Sequence, residues 1–386
     1  MKLAYVTTFD SRTLGMQGLN EWSGTGYYIA QSLKSQSIPL EYVGPLEDKF
    51  ALKAVRKCKR HYHEFFGKNY IKDTEPLILK DLANQVSKKL VDSQADVVFS
   101  ASITAIAYLE CRQPIVYWAD ATFENTHNFY PQYSNLCHES IANGHVMEKL
   151  ALSKCALAIY ASEWAAQSAI EYYKADPHKV KVVPFGANIQ TTRTLDCVKK
   201  FIATRPIDRC KLLFLGVDWV RKGGEVAYAV AKALNESGLP TELTVVGCQP
   251  ELDEPIPDFV KPLGFISKST QAGKDRLNQL IAESHFTIVP SRAECYGIVF
   301  CEANSFGVPC LSTNVGGIPS AIQSDVNGRL FALDADIDEY CSYITKLFAN
   351  YADYQQLALS SFDRYQSKLN WVSAGQTVRQ LLESTI

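Results

Sequence analysis

The chain has 386 residues with 39 basic and 41 acidic side chains, and this length and balance predict two globular domains, each with its own core. A formal net charge of -2 argues against a dedicated nucleic-acid-binding protein, which would be basic. No apolar run approaches the roughly 20 residues of a membrane span, and the start MKLAYVTTFD lacks the apolar core of a signal peptide. We therefore expect a cytoplasmic protein whose 11 cysteines, none in a C-x-x-C pair, are free thiols.

Short apolar runs alternate with helical patterns in both halves of the chain. Runs of this kind, without strict alternation and separated by helices, are typical of parallel strands that are buried on both faces. The sequence thus predicts an α/β chain of two doubly wound Rossmann-like domains that face each other across a cleft. The polar, proline-containing stretch 191–209 is interpreted as the linker between them. The predicted strands are 3–8, 96–100, 114–118, 156–160, 181–184, 211–216, 243–247, 285–290, 308–313 and 327–333.

A glycine-rich turn, EWSGTGY from Glu21 to Tyr27, separates the first predicted strand from a helix over 25–36. Glycines let the backbone approach a ligand closely, and a helix start offers N–H groups to an anion. The alternative is a simple helix start with Ser23 as N-cap. The turn lacks the G-x-G-x-x-G pattern of a dinucleotide-binding site.

The strand at 211–216 ends in GVDWVRKGG, which places Arg221 and Lys222 before the two glycines at the start of a helix. Two adjacent cations and a helix start at the carboxyl end of a parallel strand suit a diphosphate. The alternative is a solvated basic turn.

Two glutamates follow the strand at 285–290. Glu294 lies in the loop SRAECYG, and Glu302 lies eight residues further on, in an apolar helix that begins near Gly297. A carboxylate in an apolar run must be paired or face solvent, because an isolated buried charge is too costly. Carboxylates accept hydrogen bonds from vicinal hydroxyls, which predicts sugar binding, while a structural salt bridge is the alternative.

In these motifs the sequence resembles the family-4 retaining glycosyltransferases, which have the GT-B fold. The resemblance covers most of the chain and includes five segments: SEWAAQSAI (162–170), VVPFGANI (182–189), the DWVRKGG turn, the Glu294/Glu302 pair, and the stretch with Gly307, Pro309 and GGIP (316–319).

The resemblance implies a role for each matching residue. Arg221 and Lys222 would hold the donor diphosphate, Glu294 the hexose hydroxyls, and Glu302 the ribose. The remaining donor-binding positions would act mainly through the backbone: Gly24, Gly247, Ile266, Tyr296, Gly297, Ile298 and Val299.

Two positions depart from the family pattern. Val217 stands where the family often has arginine, and Asp120 stands where many members have histidine. Asp120 is interpreted as a catalytic-site residue that contacts the donor sugar or orients the acceptor, or else as a helix N-cap or turn aspartate. His127 is the alternative donor-facing group.

The resemblance implies a retaining, metal-independent hexosyltransferase without a cofactor. Its donor would be a UDP-sugar or a GDP-sugar, and its acceptor a hydroxyl of a glycan, a lipid-linked glycan or a small molecule. A sugar-nucleotide epimerase or phosphorylase of the same fold, and a non-catalytic nucleotide-sugar-binding protein, are the alternatives. No protein-built metal site is predicted, because only Cys58 and His61 have a ligand-like spacing and no second pair completes it. The predicted domains are 1–190 with 366–386, since the family's last helix returns to the first domain, and 209–365.

Residues 47–72 carry eight Lys/Arg against three acids, with aromatics between them. Docking to an anionic inner membrane surface, contact with an acidic acceptor glycan, and a solvated basic helix all fit this pattern.

Overall fold

A computed structural model describes residues 1–14, 24–47, 49–189 and 193–386. These form two compact units, Met1–Pro184 with Ala374–Ile386, and Phe185–Ser373. The units differ from the sequence-based limits at their edges: 185–189 and 366–373 lie in the second unit.

The first unit is built on a six-stranded parallel sheet of order β2-β1-β3-β4-β5-β6. Its strands are β1 Leu3–Val6, β2 Leu40–Tyr42, β3 Val97–Ser100, β4 Ile115–Ala119, β5 Cys155–Tyr160 and β6 Val180–Val182. Its helices are α1 Thr25–Ser35, α2 Phe50–Phe65, α3 Pro76–Leu90, α4 Phe123–Thr126, α5 His138–Lys154 and α6 Glu163–Glu171.

The second unit has a six-stranded parallel sheet of order β12-β11-β10-β7-β8-β9. The strand order reverses between β7 and β10, which makes the carboxyl ends of these two strands the expected place for a ligand. Its strands are β7 Cys210–Leu215, β8 Thr241–Val246, β9 Val260–Gly264, β10 Phe286–Ile288, β11 Cys310–Thr313 and β12 Gly328–Phe331. Its helices are α7 Leu195–Thr204, α8 Gly224–Glu236, α9 Gln271–Glu283, α10 Ile298–Asn304, α11 Ile318–Ala321, α12 Ile337–Ala349 and α13 Tyr351–Ser367, and α14 Trp371–Thr385 begins in this unit and ends in the first.

The two doubly wound sheets confirm the predicted fold class, and two strands were missed. Both are edge strands, β2 in the first sheet and β9 in the second. An edge strand has one neighbour and a partly solvated face, so its sequence lacks the continuous apolar run of a central strand. Accordingly, β2 is only half-buried and β9 alternates between buried and exposed positions.

The predicted linker 191–209 is wrong over most of its length, and its residues 191 and 192 lie outside the described residues. Helix α7 occupies Leu195–Thr204 and buries Val198 and Ile202 in the core of the second unit. Arg205 follows it, and its guanidinium donates to the carbonyls of Phe306 and Gly307. The polar composition of this segment hid an amphipathic helix that packs through one face.

The last helix returns to the first unit, as the resemblance implied. Arg379 of α14 donates to the Gln36 carbonyl at 3.1 Å, and a Cβ at Gly375 would lie 2.5 Å from the Ser32 carbonyl oxygen. Val378 and Leu382 on the same helix are fully buried. In the described part of the chain, no helix combines the length and apolar character needed to span a membrane.

Candidate functional site

The loops after β7 and β10 are joined at the point where the strand order of the second sheet reverses. Arg292 donates its backbone N–H to the Arg221 carbonyl at 2.8 Å. Gly223 caps α8 with φ 72°, and a Cβ there would lie 2.0 Å from the Pro290 carbonyl oxygen. Only glycine accepts both the left-handed conformation and this close approach, so the residue holds the two loops together.

Both predicted cations lie against the first of the two glutamates. Lys222 is hydrogen-bonded through Nζ to Glu294 Oε2, and Arg221 Nη1 lies 3.9 Å from the same oxygen. Arg221 Nη1 also donates to the Ala293 carbonyl at 3.0 Å. All three charged side chains are mostly buried, so their interactions are less screened than on an open surface.

The second glutamate forms a separate ion pair. Glu302 on α10 is 5% exposed, and its Oε1 lies 2.5 Å from Lys268 Nζ. Lys268 belongs to the same loop as Ile266, one of the predicted donor-binding positions. Lys268 was not predicted from the sequence, where its position two residues after Ile266 was the available signal.

Backbone geometry brings the predicted glycines of the second unit to the same sheet edge. Gly247 follows β8 with φ 107°, donates to the Gly264 carbonyl at 2.9 Å, and would place a Cβ 2.4 Å from the Gly216 oxygen. Gly297 begins α10 with φ 90°. The predicted helix start near Gly297 is therefore confirmed.

Three residues beside Gly297 were predicted to bind the donor through their backbone. The Tyr296 side chain is buried, donates to the Phe185 carbonyl at 2.8 Å, and has a raised pKa because of that burial. Ile298 and Val299 are the first two residues of α10 and are half-buried. The Tyr296 ring thus packs inside the unit, and its backbone remains the candidate contact.

The chemistry of this site is that of paired charges. Each carboxylate holds a lysine through one of its two oxygens, so a salt bridge is formed at both glutamates. Arg221 and Lys222, which suit a diphosphate, meet Glu294, which suits sugar hydroxyls, in the joined loops after β7 and β10.

The predicted site residues of the first unit lie after β1 and β4. Gly24 is the N-cap of α1 with φ 80°, so the helix start assigned to Ser23 is shifted by one residue, and Glu21 and Ser23 lie outside the described residues. Asp120 follows β4. Its interpretation as a helix N-cap is wrong, because Thr122 caps α4 and accepts from the Asn125 N–H.

His127, the alternative to Asp120, lies beside Glu124 and His145. This grouping was not predicted from the sequence, because His145 is distant from Glu124 and His127 along the chain. A Glu-x-x-His spacing at 124–127 was its only sequence signal.

These features define the class of protein. It is an α/β chain with two doubly wound parallel sheets, and its charged site lies where the strand order of the second sheet reverses. Solved structures of the GT-B fold cover the whole chain. Sucrose-phosphate synthase from Thermosynechococcus elongatus aligns with a TM-score of 0.66 at 14% identity, over 99% of this chain and 98% of its own. HepE of Anabaena in complex with UDP and glucose aligns with a TM-score of 0.61 at 16% identity, over 100% of both chains. The chain has the GT-B fold.

Residues 209–350 match the family model described as Glycosyl transferases group 1. The matched residues lie wholly within the second unit. A D-inositol 3-phosphate glycosyltransferase from Acidothermus cellulolyticus is 28% identical over 180 residues, 43% of this chain and 40% of the relative. An N-acetyl-alpha-D-glucosaminyl L-malate synthase from Bacillus anthracis is 37% identical over 112 residues, 29% of each chain. The chain thus spans less than half of the length of these curated relatives.

Proposed function

We propose that this chain is a retaining glycosyltransferase that moves a hexose from a nucleoside diphosphate sugar to an acceptor hydroxyl. The observation that carries the proposal is the meeting of Arg221, Lys222 and Glu294 where the strand order reverses. The match of residues 209–350 to the group 1 glycosyl transferases supports it. A UDP-sugar is the preferred donor, since the fold is shared with a protein solved with UDP and glucose, and a GDP-sugar is the alternative.

In the proposed reaction the bond between the anomeric carbon and the diphosphate oxygen breaks, and the acceptor oxygen attacks from the same face. The acceptor proton passes to the departing phosphate, so no protein nucleophile is required. Negative charge grows on the diphosphate, where Arg221 and Lys222 stabilise it in place of a divalent metal. Glu294 would hold the hexose hydroxyls and Glu302 the ribose.

The first unit's contribution is part of the same proposal. Gly24 would approach the phosphates through its backbone, and Asp120 would contact the donor sugar or orient the acceptor. The acceptor is proposed to be a glycan, a lipid-linked glycan or a small molecule.

The test is a panel of UDP- and GDP-hexoses with candidate acceptors, followed by nucleotide release and by proton NMR of the new glycosidic linkage. An α-linked product from an α-linked donor, at a rate that a chelator leaves unchanged, is expected. Interconversion of the donor sugars would indicate an epimerase, and binding without turnover across the panel would indicate a non-catalytic binding protein.

We also propose peripheral contact with an anionic membrane through α2 and the residues after it. Three aromatic side chains at the carboxyl end of α2 are exposed to solvent: Tyr62, Phe65 and Phe66. Phe65 is the most exposed, at 85%. Exposed cations, including Lys53, Lys57 and Arg60, accompany them. Rings and cations together suit an interface with anionic headgroups.

Co-sedimentation with phosphatidylserine vesicles tests this contact. The chain should pellet with anionic vesicles and remain in the supernatant with neutral ones, and Phe65→Ala/Phe66→Ala should weaken pelleting. Equal behaviour with both vesicle types would leave α2 a solvated helix. The control is Leu77→Ala, which removes an exposed apolar side chain from a different helix.

A further inference from the structure

Three potential metal ligands converge in the first unit, and the proposed transfer assigns a role to none of them. One ligand atom from each of Glu124, His127 and His145 lies within 4.8 Å of the other two. Glu124 belongs to α4, His127 follows that helix directly, and His145 comes from the middle of α5. Two imidazoles and one carboxylate form a donor set typical of zinc sites.

The separations are close to those of a filled site. His145 Nε2 lies 3.8 Å from Glu124 Oε2. A tetrahedral zinc ion with bonds of about 2.0–2.1 Å holds its ligand atoms roughly 3.4 Å apart. To close on an ion, the His145 and Glu124 atoms would therefore approach each other by about 0.4 Å, and no pair by more than about 1.4 Å.

Two tyrosines at the end of α6 form the outer partners that metal ligands normally have. The Tyr173 hydroxyl lies 2.9 Å from His145 Nδ1 and accepts the Glu124 backbone N–H at 3.1 Å. When Nδ1–H donates to this hydroxyl, the lone pair of Nε2 points to the side of Glu124. The Tyr172 hydroxyl interacts with the Glu124 carboxylate, and its ring stacks on His145 with centroids 5.4 Å apart. Partners of this kind fix the orientation and tautomer of a ligand.

An aromatic ring sets the positions of both imidazoles. Phe123 stacks on His127 with centroids 5.9 Å apart and meets His145 edge-on at 5.0 Å. Gly144 makes room for this ring, since a Cβ there would lie 2.4 Å from it. The cluster is therefore held by packing, and it remains open to solvent because the Glu124 side chain is 36% exposed.

We infer that Glu124, His127 and His145 bind one divalent transition-metal ion. Zn²⁺ is the preferred ion, and water would occupy its fourth coordination position. Nitrogen ligands favour zinc over magnesium or calcium, which prefer all-oxygen sites. The ion would tie the segment after β4 to α5. It takes no part in the proposed sugar transfer, so the two proposals stand or fall separately.

The test uses the untagged full chain, stripped with a chelator and desalted, and then titrated with Zn²⁺ by calorimetry and metal analysis. One equivalent should bind per chain, and Co²⁺ should give visible d–d bands of a four- or five-coordinate site. His127→Ala/His145→Ala should lose this binding. His178→Ala removes an exposed imidazole of the same unit and should bind as wild type.

Tyr173→Phe separates a metal site from a chance grouping. It keeps all three ligands and removes one outer hydroxyl, so affinity should fall by roughly 10- to 100-fold. If the double histidine variant does not fold, Glu124→Gln gives the same decision, since it replaces an exposed carboxylate. Stripped wild type that binds no Zn²⁺, or ligand variants that bind like wild type, would overturn the inference.

Discussion

At the scale of single residues, Lys222 is the charged group with the most direct contact to Glu294 in the candidate site. Lys222→Ala should lower kcat by roughly 10²–10³-fold, the cost of losing one donor that stabilises transition-state charge. Steady-state kinetics with the donor found in the panel measures it. Lys232→Ala, which removes an exposed lysine from the following helix, is the control. Turnover near wild type in Lys222→Ala would remove Lys222 from the mechanism.

Glu148 on α5 carries a different prediction, because burial raises its pKa to about 7. The Phe123 N–H and the Tyr160 hydroxyl both donate to its carboxyl group, at 2.9 and 3.3 Å. A raised pKa means that the folded chain holds the proton more tightly than the unfolded chain. This stabilisation is complete below the unfolded value of 4.5 and is lost as the pH rises through 7.

Between pH 4.5 and 7 this group should therefore lower the free energy of unfolding by about 3 kcal/mol as the pH rises. Urea denaturation of wild type and Glu148→Gln across this range isolates the effect, because other titrating groups contribute to both proteins. The glutamine keeps an acceptor for Phe123 and adds a donor for Tyr160. Parallel stability curves for the two proteins would show that Glu148 titrates normally.

At the scale of elements, the joined loops after β7 and β10 depend on Gly223. Gly223→Ala forces a left-handed alanine and a clash with the Pro290 carbonyl. Gly238→Ala is the matched control, since Gly238 also has positive φ, 91°, but no atom of the described residues lies within 4 Å of its Cβ position. The control should cost about 1–2 kcal/mol for the backbone alone. The clash should add roughly 1–3 kcal/mol at Gly223, measured by chemical denaturation. Equal costs would mean that the loops separate freely.

The elements also show which parts of the molecule the sequence could reveal. Central strands such as β5 are apolar throughout, so their runs predict them directly. Edge strands β2 and β9 and helix α7 carry polar residues on a solvated side, and only tertiary packing identifies them. In the site, Arg221, Lys222 and Glu294 could be placed because they follow strands of one sheet. Lys268 and His145 could not, because their partners Glu302 and Glu124 are distant in sequence and the contacts depend on side-chain direction.

At the scale of the whole molecule, α14 begins in the second unit and continues into the first. Val378 and Val372 lie on this helix, one fully buried and the other 62% exposed. Val378→Ala should lower the free energy of unfolding by about 2 kcal/mol. Val372→Ala should change it by less than about 0.5 kcal/mol. Hydrogen exchange should also show reduced protection of α1 around Ser32 in Val378→Ala; unchanged exchange there would mean that α14 does not stabilise α1.

The return of α14 also orders events during synthesis. The second unit, Phe185–Ser373, interrupts the first in the chain. At about 5–20 residues per second, a ribosome spends roughly 10–40 s on the second unit before it reaches Ala374. During that time the first unit lacks the part of α14 that packs on it, so the surface around Ser32 and Gln36 is uncovered. The second unit is thus the first whose residues have all been synthesised. The first unit, although it is begun earlier, gains its remaining residues only afterwards.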